Sequence, residues 1–155
     1  MTPKTENLEE IQKKFAKQCF NSCWDYLDKD KLDSEDELTM LNLAHASRFH
    51  WSKVGTPRNI AISDWQISRC YTRIEDGISA LKYAQSSLQL LLDNKIEDMY
   101  VSGYEGVARA YATLKDYSNA SKFIEKAEEE LKKVTDKEDL EIFEPQIKDT
   151  KSMIH

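Results

Sequence analysis

Two stretches of this chain lie over one another at an offset of 40 residues, and that repeat limits the fold more than any other feature. Arg69-Cys70-Tyr71-Thr72-Arg73-Ile74-Glu75-Asp76-Gly77-Ile78-Ser79-Ala80-Leu81-Lys82 aligns with Arg109-Ala110-Tyr111-Ala112-Thr113-Leu114-Lys115-Asp116-Tyr117-Ser118-Asn119-Ala120-Ser121-Lys122, and Arg, Tyr, Asp, Ala and Lys recur in place. In each copy a Tyr ends one apolar-periodic segment and an acidic turn follows. A small Ala then opens the return segment, where two backbones must approach closely. An antiparallel helical hairpin used twice fits this pattern, and such units bury a core by stacking on their neighbours.

The rest of the chain reads as helix too. Leu8, Ile11, Phe15, Cys19, Cys23, Tyr26 and Leu27 recur at three and four residues, which predicts a helix over about 6–29. Ser34 and Glu37 match a capping box that opens a second helix running to about Lys53. Its apolar residues point almost all round, which marks a central element. Gly55 suits a left-handed helix end and Pro57 a first helical turn, so a third helix spans about 57–74. Further helices are expected over 78–93, 97–114 and 117–134. A second capping-box pattern at Thr135 to Glu138 opens a last one, bent or delayed by Pro145. The fold class is all-α, about seven helices in one 155-residue domain: a divergent hairpin (6–54), two repeats (57–93 and 97–134) and a capping helix (135–155).

Composition agrees and removes several functional classes. Four Gly and three Pro supply little for the tight turns of a β-protein or for a phosphate-cradling loop. No apolar run approaches the ~20 residues of a membrane span, and the first ten residues lack the apolar stretch of a secretory signal. With three Cys at no scaffold spacing, the expected location is cytoplasmic. A net charge of −6 disfavours nucleic acid and anionic membrane as partners. One segment reverses the sign. Between Thr39 and Arg73, five bases (Arg48, Lys53, Arg58, Arg69, Arg73) face the single acid Asp64, a local charge of +4.

With Tyr71 and Tyr111 at an aromatic position late in the first helix of each unit, Ala80 and Ala120 take a small position early in the second, and Ala127 and Ser87 a later one. On these residues the chain resembles the tetratricopeptide repeat over about 57–134. The strings Ala44-His45-Ala46-Ser47-Arg48-Phe49-His50-Trp51 and Asp64-Trp65-Gln66-Ile67-Ser68-Arg69 also resemble a small group of bacterial tetratricopeptide-like proteins. The chain departs from the repeat's pattern at Asp64 and Tyr104 (usually Trp), at Ser68 and Ala108 (usually Gly), and in its longer period. The resemblance implies a right-handed superhelix whose first helices line a concave groove, with Trp65, Arg69 and Thr72 in one copy and Glu105, Arg109 and Ala112 in the next facing it.

Two arginines along such a groove would offer two guanidinium forks to a carboxylate or phosphate, although Glu105 and Arg109, four apart on a helix, can also satisfy each other. The leading expectation is a non-catalytic module that binds an acidic or extended protein or peptide through Trp65, Arg69, Glu105 and Arg109, with the basic segment that contains Arg58 contributing. The alternative is a small-molecule sensor or enzyme whose pocket is lined by His45, Arg48, His50, Trp51, Asp64 and Tyr104. No catalytic residue, cofactor or metal is assigned. His45 and His50 stand about 140° apart around a helix, wrong for a shared zinc. Cys19 and Cys23 have the spacing to share a metal, yet lie in an apolar stripe where Cys serves as core. The sequence does not fix an oligomeric state.

Overall fold

The computed structural model describes residues 7–155, so Glu6, the first residue of the expected first helix, lies outside the described residues. Seven α-helices follow one another: α1 (Leu8–Leu27), α2 (Ser34–Val54), α3 (Pro57–Arg73), α4 (Gly77–Asp93), α5 (Tyr100–Thr113), α6 (Tyr117–Leu131) and α7 (Lys137–Ser152), with one 3-10 turn at Glu97–Met99 before α5. No strand occurs among the described residues. Helix α1 pairs with α2, α3 with α4 and α5 with α6, and each pair packs on the next through α2 and α3 or α4 and α5. Helices α1, α3, α5 and α7 also touch in succession and form one layer. None of these helices is long and apolar enough to cross a membrane.

The 40-residue spacing extends further than the two sequence copies. Met40, Ala80 and Ala120 are all fully buried in α2, α4 and α6, as are Ala44, Ala84 and Ile124 one turn later. Ser47 Oγ donates to the Ala16 carbonyl at 2.8 Å, and Ser87 Oγ donates to the Ala61 carbonyl at 2.7 Å, so the first two hairpins are clamped by the same bond. Ala127 takes the third equivalent place. In the other layer Ile67, Val107 and Ile147 are buried in step, followed by Cys70, Ala110 and Thr150. Small side chains at the crossings let backbones approach, and larger ones fill the space between layers.

The turns repeat as well. Asp76 N–H donates to the Tyr71 carbonyl and Asp116 N–H to the Tyr111 carbonyl, both at 2.9 Å, closing the Schellman bond of each helix end. The left-handed residues are Glu75 (φ 64°), Lys95 (φ 53°) and Lys115 (φ 62°), not glycines. Gly55 has φ −88°, so its expected left-handed role does not hold; a Cβ there would sit 2.7 Å from the Trp51 carbonyl oxygen, and the close approach is what requires glycine. Asp33, one residue before Ser34, caps α2 and exchanges capping bonds with Asp36. Thr56 and Asn59 form an equivalent box on α3, with Pro57 in the first turn as expected. Helix α7 starts after the Asp136 cap and runs through Pro145 without ending.

Candidate functional site

Arg69 is the centre of the most unusual polar environment in the molecule. On α3 it follows Trp65 by one turn, and its guanidinium carbon lies 5.0 Å from the Trp65 ring and 5.7 Å from the Trp24 ring of α1. The two indoles are 5.9 Å apart. Trp65 fits here because α5 carries Gly106, whose missing side chain leaves room for the indole edge; a Cβ would meet it at 3.2 Å. Among the described residues no acid pairs with Arg69, and its Nη1 is buried without a partner. Burial strips its hydration and Arg109 repels it, pushing its pKa down to about 10, while Glu105 and Asp149 pull the other way. It remains a cation at neutral pH.

In front of Arg69 opens a cleft of about 290 Å³. Trp24, Arg69, Thr72, Arg73 and Arg109 line it, with Asp28 and Glu75 also on its wall. Arg73 donates to the carbonyls of Lys29 at 2.7 Å and Asp30 at 3.0 Å, which ties the α1–α2 connection to the cleft. Thr72 Oγ1 and Trp65 Nε1 are buried without protein partners, as are Glu105 Oε2 on α5 and Gln146 Oε1 on α7. Trp65, Arg69 and Thr72 are spaced by four and three residues, so these unsatisfied donors form one stripe along α3. Buried polar groups are normally bonded, and a stripe of exceptions marks a place that a polar ligand or ordered water completes.

The expected groove residues therefore divide. Arg69 and Arg109 line the cleft, with Trp65 stacked behind Arg69. Glu105 does not face a ligand: it is fully buried, and its Oε1 accepts from Arg109 Nε at 2.9 Å, from Arg109 Nη2 at 2.5 Å and from Thr150 Oγ1 at 2.6 Å. Arg109 thus carries its own counter-charge, and Arg69 has none among the described residues.

The six residues expected to line a second pocket do not line one together: His45, Arg48 and Asp64 lie near one another, and His50, Trp51 and Tyr104 stand elsewhere. Asp64 accepts from Arg48 Nε at 3.1 Å and from Ser86 Oγ at 2.8 Å. Close by, His45 Nε2 lies 3.1 Å from the Tyr71 hydroxyl and its ring packs on Tyr83; burial holds its pKa below the usual value against the pull of Asp64. His50 bonds instead to Gln12 of α1, at 2.5 Å. Trp51 lines a separate hollow with Phe20 and Ile62, and Tyr104 packs on Phe123. Arg58 forms an exposed two-point pair with Asp98 at 3.0 and 2.6 Å. Another hollow, about 370 Å³, is lined by Glu97, Asp98, Glu130, Asp136 and Asp139 against the single base Lys133, and this mainly acidic wall would repel an anion.

Trp24 is the site residue that the sequence reading missed. It stands in α1, outside the two aligned copies, and it becomes visible only when Ser47 and Ser87 set the register of the first hairpin. Among the described residues no group of three or more His, Cys, Asp or Glu side chains is placed to hold a metal. Compared with protein-family models, curated proteins and solved structures, the chain matches none.

Proposed function

We propose that this chain is a non-catalytic, tetratricopeptide-like interaction module that takes an acidic segment of a protein partner in the cleft at Arg69. One observation carries the reading: a guanidinium packed against both Trp24 and Trp65, without an acid partner among the described residues, beside an open cleft. A buried unpaired charge is costly to the fold, and an incoming carboxylate would supply the missing bidentate bonds. The indole faces would stack on the same guanidinium and hold it flat. Thr72 Oγ1 and the outer edges of Arg73 and Arg109 offer further donors, so the site reads anion and orientation together. A helical-repeat scaffold brings surface, not chemistry, which fits a binding role.

The test is a fluorescence titration, with Trp24 and Trp65 as reporters, of a Glu-rich peptide against its Gln counterpart. The acidic peptide should bind and weaken as salt rises, because exposed charges are screened over about 8 Å at physiological ionic strength. Arg69→Ala should lose about tenfold or more in affinity, the usual scale for a charge-assisted bond. Lys132→Ala, on an exposed stretch after α6, should change nothing. Equal binding of both peptides, or an Arg69→Ala variant that binds as wild type, would overturn the reading.

A further inference from the structure

Behind the cleft, on the layer formed by α1 and α3, two thiols meet. Cys23 Sγ and Cys70 Sγ are 3.4 Å apart, both fully buried, and 47 residues separate them in sequence. Cys23 also donates to the Met40 carbonyl at 3.6 Å. Around them lie Met40, Ala44 and Ile67, an apolar shell. Core cysteines serve as small apolar residues, and nothing in that role requires two of them, from different helices, to stand sulfur to sulfur. A disulfide has its sulfurs about 2.05 Å apart, so the two side chains need to close by only about 1.4 Å to bond.

We infer that Cys23 and Cys70 are a modification site, an internal dithiol that a peroxide converts to a disulfide joining α1 to α3. In the first step one sulfur attacks the peroxide O–O bond and becomes a sulfenic acid, releasing water. In the second the other thiol attacks that sulfur, forming the S–S bond and expelling a second water. The two thiols give up two hydrogens and two electrons, and the peroxide is reduced to water. The second step has its reactants already in contact, so the first is limiting. It is slow by construction: the hydrogen bond with Cys23 and burial push the Cys70 thiol pKa up, and the thiolate is the reactive form. A small neutral oxidant that enters as α1 and α3 breathe fits this shell, whereas a bulky or charged one does not. Cys19, one turn earlier on α1 and partly exposed, is not part of the pair, and burial followed by its neighbour Cys23 raises its pKa too.

The neighbours of the pair give the bond a consequence. Cys23 is followed by Trp24 and Cys70 is preceded by Arg69, the two side chains that stack in the cleft. Drawing the sulfurs together shifts the walls that hold Arg69, so oxidation is expected to change the tryptophan emission. The disulfide itself does not depend on what the cleft binds, and the experiment below succeeds or fails without any ligand.

The full chain, folded and reduced, is treated with hydrogen peroxide, quenched with an alkylating reagent and digested without reduction for mass mapping. The expected product is one Cys23–Cys70 crosslinked peptide, in a monomer, with altered tryptophan emission and a higher melting midpoint, all reversed by dithiothreitol. Cys19→Ser should form the crosslink as wild type does. Cys70→Ala and, independently, Cys23→Ala should reduce it to background while keeping a helical circular dichroism spectrum. Recovery of Cys23 and Cys70 as separately alkylated thiols after Cys19 has been oxidised would overturn the inference. So would a crosslink that appears only in urea, or one that joins two molecules.

Discussion

Replacing Glu105 by Ala asks whether Arg109 belongs to the fold or to the cleft. The Glu105 carboxylate is fully buried and takes two bonds from Arg109 and one from Thr150. Truncation removes all three and leaves a guanidinium, in a side chain only 12% exposed, without its counter-charge. Breaking one member of such a pair costs about 3 to 5 kcal/mol. Arg109 keeps an edge on the cleft, where water can reach it, so the low end applies, about 3 kcal/mol. In a domain of this size that corresponds to a fall in Tm of roughly 6 to 12 °C. Glu105→Gln keeps the shape and an acceptor and should cost less. In Glu105→Gln/Arg109→Met, which removes both charges, part of the loss should return, since an apolar pair of similar volume often replaces a buried ion pair without penalty. Urea unfolding of the three variants, with unchanged m-values, measures these differences. A loss below about 1 kcal/mol in Glu105→Ala would refute the reasoning, because Arg109 would then be solvated in the native protein and need no counter-ion.

Ala120→Leu places a large side chain at a fully buried crossing of α5 and α6 and should cost about 1 to 3 kcal/mol, read as a lowered urea midpoint. An unchanged midpoint would mean that the crossing has room and that the repeat alignment has no packing basis. His45, whose pKa burial holds below the usual value, favours the neutral ring in the folded state. Unfolded chains then bind more protons than folded ones as pH falls below about 6.5, so its contribution is present above that pH and lost on acidification. Urea midpoints between pH 7.5 and 5 should therefore fall less steeply in His45→Gln than in wild type, and equal slopes would refute the assignment.

Most helix positions were legible because apolar spacing and turn chemistry agreed there, and Pro57 and Asp76 mark starts that the backbone uses. Ser34 misled by one residue because Asp33 can make the same capping bond and stands where α2 begins. Gly55 misled because glycine serves both left-handed turns and close contacts, and a sequence does not say which. The repeat in α2 was hidden by residue size: Met40 occupies the place of Ala80 and Ala120, so identity is lost while burial is kept. Glu105 was misplaced for a related reason. Trp65 and Glu105 are equivalent by spacing, but α7 packs on α5 and supplies Thr150, which turns the carboxylate inward. Nothing four residues away from Glu105 announces a partner at position 150.

Arg69 is the residue on which stability and binding should separate. Its pKa, lowered to about 10 by burial and by Arg109, corresponds to about 3 kcal/mol against the charged form inside the fold. Stacking on two indoles returns part of this, since a cation on an aromatic face gains about 0.5 to 2 kcal/mol. The balance leaves a residue that the fold would be better without. Arg69→Met fills a similar volume against Trp24 and Trp65 with no charge to desolvate, so the variant should be more stable by about 1 kcal/mol, in the direction seen when buried ionic groups are replaced by apolar ones. The same variant should lose binding of the Glu-rich peptide, because the bidentate donor is gone. Thermal melts and the fluorescence titration on one preparation measure both. A variant that is less stable than wild type would show that the stacked guanidinium holds α1 to α3, and Arg69 would then be a structural residue and not the centre of a binding site.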